Sequence, residues 1–243
     1  MGTSRWIRGA GILVAILCCA SLAVAQDTFT LTGANPGGYT NGDVYVSPYT
    51  ATITNSTGDE IYSGDVICDD FFDDVSVGED WIVTPSPASS VSPDGLFTGS
   101  VTWPDTPLGT TYTNQQAYDA VAWLAVQLLS LPPSSPNLSA EEGAYSFAIW
   151  TIFDPSAISS YVPTGTYTVA YVDSLITEAF AANYSGAGVT VWTPVPNEGP
   201  GNGGPQEFLT VSTPEASLPA TLAVTLGTLV GVIFLLRRRL VRV

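Results

Sequence analysis

The sequence predicts an α+β chain: a β-rich, sandwich- or barrel-like exported domain with a small inserted helical subdomain. A signal peptide precedes it and a transmembrane helix follows. Three observations carry that prediction. Runs of β-branched and aromatic residues, set off by Pro, Gly and Asn, fill residues 26–103. Apolar residues at helical spacing replace that pattern between residues 117 and 183. Each terminus carries an apolar run beside arginines, at residues 9–25 and 218–236.

In chain order, residues 1–25 read as a secretory signal peptide. Arg5 and Arg8 form a basic start, and Ala23 and Ala25 place small residues at a cleavage site between Ala25 and Gln26. Leu17 before Cys18 argues against a lipoprotein, which wants a small residue there. Residues 26–212 form the exported domain. Strands are expected at residues 43–46, 49–54, 61–72, 80–84 and 99–103, with residues 84–95 as a Pro/Ser loop. Thr113 and Gln116 suit a capping box ahead of a helix at residues 117–130. Ser139 and Glu142 suit a second box ahead of residues 143–153, and a third helix is expected over residues 171–183. Strands at residues 166–169, 189–193 and 207–212, and a flexible Gly/Pro turn at residues 197–206, complete the domain.

Composition narrows function. The chain has 243 residues, 22 acids, 6 basic residues and no histidine. All the cations are arginines at the two ends, so residues 26–213 contain none, and every acid except Glu215 lies among them. Nucleic-acid binding, which needs Lys and Arg on phosphates, is excluded. A histidine base, a Schiff-base lysine and an arginine clamp have no residues to form them. Carboxylate chemistry and hard-cation binding survive.

Residues 218–236 are uncharged and, at about 1.5 Å per residue, long enough to cross a bilayer's hydrocarbon. Arg237, Arg238 and Arg239 follow at once and should stay cytoplasmic. Pro214 and Glu215 stand just upstream. This order, over residues 213–243, resembles the bacterial PEP-CTERM sorting signal, although Ala216 stands where proline is usual. The resemblance implies an exosortase-type enzyme as processing partner and a membrane-anchored precursor that ends in the cell envelope or extracellular matrix. An ordinary permanent anchor is the alternative.

The stretch Ile67-Cys68-Asp69-Asp70-Phe71, the helix containing Ala122-Trp123-Leu124, and Ala144-Tyr145-Ser146-Phe147-Ala148-Ile149-Trp150 resemble the thioester domains of bacterial surface adhesins. The likeness covers about residues 50–212. In reactive members a cysteine at the position of Cys68 is joined to a glutamine at the position of Ser146. A hydroxyl supplies no acyl group, so the resemblance implies an inherited fold without the cross-link. Gln116 and Gln127 lie on another helix and offer no substitute. Cys68, between apolar Ile67 and two aspartates, reads as a small buried hydrophobe rather than an activated thiol.

Asp69, Asp70, Asp73 and Asp74 head the densest acidic stretch. Hard oxygen ligands without a balancing cation would take calcium, though the spacing is not that of an EF-hand, and a solvated acidic edge is the alternative. If the strand at residues 61–72 continued through them, Asp69 and Asp73 would share one face, and Asp70 and Asp74 the other. The expected function is therefore non-enzymatic: a cell-surface or matrix protein, associated with exopolysaccharide, with no required cofactor. A covalent adhesin using Cys68 with another acyl donor, and a carboxylate-based hydrolase of matrix polysaccharide, are the alternatives.

Overall fold

The computed structural model describes residues 26–35, 37–91, 95–98, 101–102 and 111–212. The segments that the sequence reads as signal peptide, sorting motif and membrane-spanning tail lie outside them. Among the described residues no helix is long and apolar enough to cross a membrane.

Six strands close a barrel: β1 (Asp27–Gly33), β4 (Tyr49–Thr54), β5 (Glu60–Cys68), β6 (Asp80–Pro87), β9 (Val189–Pro194) and β10 (Phe208–Val211). Their order around the barrel is β1-β4-β5-β10-β9-β6, with every neighbouring pair antiparallel. Two short hairpins stand apart: β2 (Thr40–Asn41) with β3 (Val44–Tyr45), and β7 (Val101–Thr102) with β8 (Thr111–Tyr112).

Strand alternation sorts the apolar side chains into two cores. Phe29, Val66, Cys68, Trp192 and Phe208 point into the barrel, where Phe29 stacks on Trp81 and Phe208 at 4.8 and 4.9 Å. Their strand neighbours Ile67, Val191 and Leu209 face outward and join the helical core. That core is made by α1 (Asn114–Leu129), α2 (Leu138–Phe153) and α3 (Val169–Ala181), all three in mutual contact. The helices lie in sequence between β6 and β9, which are neighbours in the barrel, so the helical part is an insertion between adjacent strands.

The β-rich plan and the three helices agree with the sequence expectation; a closed barrel replaces the choice between sandwich and barrel. Locally, several expectations change. The Thr113–Gln116 capping box forms as expected, but α2 starts at Leu138 behind Asn137 without a side-chain cap. Glu142 is drawn instead into a hydrogen bond from Asn35 Nδ2 at 3.1 Å. The supposed strand at residues 166–169 reduces to one bridge, Thr164 with Tyr167. The Pro/Ser loop is half strand, because β6 runs through Pro85 and Pro87. Those prolines pair with β9 on one side, while β1 reaches only to Val83 on the other, and a strand edge tolerates a missing N–H.

Candidate functional site

The informative residues gather where β5 ends. Cys68 is fully buried, with its side chain in the barrel. Its N–H donates to Ser47 Oγ at 3.2 Å, and its carbonyl accepts the Trp150 indole N–H at 2.9 Å. Ser47 in turn donates its own N–H to Ser146 Oγ at 3.0 Å. The structure therefore brings the two positions matched to the thioester pair into one buried network, with Ser47 between them. Burial first, then the charges of Asp70 and Asp69, push the Cys68 thiol well above its ordinary range. The sulfur stays protonated and donates to the Asp70 carbonyl at 3.1 Å. Gln206 donates its side-chain N–H to the same oxygen at 3.0 Å, so a carboxamide that the sequence reading passed over does come near this thiol.

One residue past the Cys68–Phe208 pair, Asp69 and Glu207 meet on the outer side of the sheet, under α1. Glu207 Oε1 accepts the Tyr118 hydroxyl at 2.5 Å, while Oε2 accepts the Thr193 hydroxyl at 2.5 Å and the Leu96 N–H at 3.1 Å. Neither Asp69 oxygen receives a hydrogen bond. Two bare carboxylates in contact would repel each other strongly out of water. Desolvation, and then Glu207, raise the Asp69 carboxyl well above its usual range, which favours its protonated form beside Glu207. Desolvation also raises Glu207, against the opposing pull of its Thr193, Tyr118 and Leu96 donors. Both acids have no exposed surface.

The strand expected to continue through Phe72 ends at Cys68, and residues 71–73 bend away. Asp73 clasps the Gly-rich turn, accepting N–H groups from Gly201 at 2.8 Å and Gly203 at 2.9 Å. Gln206 adds hydrogen bonds to the Asp70 and Asp73 carbonyls, so the turn expected to be flexible is tied down. Asp70 is buried at the barrel's end; desolvation lifts its carboxyl to about 7 despite the Phe72 N–H, which donates to Oδ1 at 2.8 Å. Asp74 is exposed. Asp69 faces Glu207 instead, while Asp70, Asp73 and Asp74 line one cavity, and no group of three or more acids or cysteines is placed to hold a metal among the described residues.

Beside Asp70 opens a cavity of about 450 Å³. Asp43, Asp70, Asp74, Tyr45, Tyr49 and Trp150 are among its walls. Trp150 belongs to the helical core, and Trp123 packs against it half-buried. The sequence reading singled out Asp70 and Asp74 but gave no reason to expect Asp43, Tyr45 or Tyr49 beside them, since only the folded chain brings β3 and β4 to the end of β5.

No family of known proteins, no curated protein and no solved structure matches the chain.

Proposed function

We propose that this chain is an exported, non-enzymatic protein of the cell surface or extracellular matrix, delivered by an exosortase-type enzyme and acting through non-covalent contacts. The observation that carries the reading is the Cys68–Ser47–Ser146 network. At the place where the adhesin resemblance needs an acyl donor there is a hydroxyl, already accepting a backbone N–H at 3.0 Å, and the thiol is buried and protonated. The cation-free acidic body supports the same reading, because it leaves few catalytic groups besides carboxylates. The sorting signal rests on Pro214, Glu215 and the arginines Arg237, Arg238 and Arg239.

The test is the intact mass of native protein from cell envelope and medium. The expected species begins at Gln26, ends near Pro214-Glu215 and loses no ammonia other than by cyclisation of its N-terminal glutamine, which methylamine does not reopen. A mass running through Val243 in every fraction would overturn the processing. A second reading, the covalent adhesin, draws on one observation: Cys68 Sγ and Gln206 Nε2 share the Asp70 carbonyl. A mass lower by one ammonia, which methylamine converts to a species heavier by one whole methylamine with a free Cys68 thiol, would decide for it.

A further inference from the structure

We propose that the cavity at the end of the barrel binds a weakly hydrated organic cation, an alkylated ammonium group, among the carboxyls of Asp43, Asp70 and Asp74 and the side chains of Tyr45, Tyr49 and Trp150. The inference goes beyond the surface-protein reading and does not depend on how the chain is exported or processed.

The first ground is Asp70. Its side chain is fully buried and lines the cavity, and its Oδ2 has no hydrogen-bond partner. A buried, unsatisfied carboxyl oxygen is rare and calls for a partner. The chain's own body cannot supply a cation, because residues 26–213 contain no Lys, Arg or His. Asp43 and Asp74, both exposed, place two more carboxyls around the same space.

The second ground is the character of the walls, which separates an organic cation from a metal. Calcium demands roughly six to eight oxygen ligands. Both Asp73 oxygens are already taken by the Gly201 and Gly203 N–H groups, and the other walls include Leu31, Val44, Val75 and Val77. The Tyr49 hydroxyl is occupied as well, donating to the Tyr45 carbonyl at 2.8 Å. What these side chains offer a ligand is apolar surface and aromatic rings. Tyr45 and Val77 are 52% and 56% exposed, so apolar surface extends to the rim. Negative charge beside aromatic and apolar walls suits a cation wrapped in methyl groups, which sheds little hydration and interacts with ring faces.

The experiment is calorimetric titration of the full chain in mild detergent with choline, with its uncharged carbon isostere dimethylbutanol, and with calcium chloride, all at matched ionic strength. Saturable choline binding is expected, with the isostere weaker by roughly tenfold or more. Asp70→Asn should remove most of the affinity. Asp74→Asn, at an exposed position, should weaken choline several-fold and leave the melting temperature unchanged. Equal affinity for the isostere would reduce the site to an apolar cavity and overturn the proposal. Displacement of choline by millimolar calcium would make it a metal site and overturn it equally, as would the absence of saturable binding.

Discussion

Asp69 and Glu207 face each other across the seam between β5 and β10, both without exposed surface, and burial raises both carboxyls above their usual range. A raised carboxyl pKa means that the folded chain holds protons which the unfolded chain releases. The stability this contributes is complete below the ordinary carboxylate range and is lost as pH rises toward the folded-state values. Asp70, lifted to about 7, adds to the same slope. The melting temperature should therefore fall between about pH 4 and pH 7, each titrating group contributing ~1.4 kcal/mol per pH unit within its window. Asp69→Asn keeps a donor for Glu207 with nothing to titrate and should flatten the decline. Melts followed by circular dichroism check this; a melting temperature that climbs over that range would contradict it.

Trp150 ties α2 to the end of β5 through its indole N–H on the Cys68 carbonyl at 2.9 Å. Trp150→Phe keeps much of the packing and removes the donor, leaving a buried carbonyl unpaired. A loss of about 1–3 kcal/mol is expected in urea unfolding. An unchanged midpoint would show that the contact contributes nothing.

Cys68 should resist alkylation in the native protein, because its thiol is both buried and held protonated. Iodoacetamide at neutral pH should label it slowly in buffer and rapidly in denaturant, as read by intact mass. Rapid native labelling would place the sulfur in contact with solvent.

Gly186 precedes β9 with φ +66°, and a Cβ there would lie 2.6 Å from the backbone of Ala88 and Ser89. Gly186→Ala combines a disfavoured backbone conformation with a clash against main chain. It should cost about 2 kcal/mol or more. Gly58→Ala is the comparison: its φ is also positive, +86°, but its surroundings are open, so only the conformational part should appear.

Legibility in the sequence followed distance along the chain. The Thr113–Gln116 box was readable because cap and helix are neighbours. The Ser139–Glu142 box was not, because Asn35, 107 residues from Glu142, takes its carboxylate. The turn at residues 197–206 reads as flexible until Asp73, 128 residues before Gly201, supplies its acceptor. Prolines in β6 look like loop until the barrel order shows that β1 stops short of them. Within the site, Cys68 and Ser146 stand out in the sequence, and hydrogen bonds through Ser47 join them. Ser47, which connects them, carried no local signal. The pairing of Asp69 with Glu207 required knowing that β5 and β10 are neighbours, which no spacing in the sequence states.

The insertion of the helices between β6 and β9 sets an order of assembly. The first four barrel strands, all complete by Pro87, already form a contiguous antiparallel sheet in the order β5-β4-β1-β6. The gap left between β5 and β6 is filled only by the β9–β10 hairpin, after the whole helical segment. A chain emerging from its N-terminus would carry two unpaired sheet edges, open to wrong partners, until β9 and β10, which follow the helices, enter the seam. Closure and the union of Asp69 with Glu207 are then the same event, so an arrested or truncated chain lacking β10 would be an open sheet with an uncovered acid at its edge.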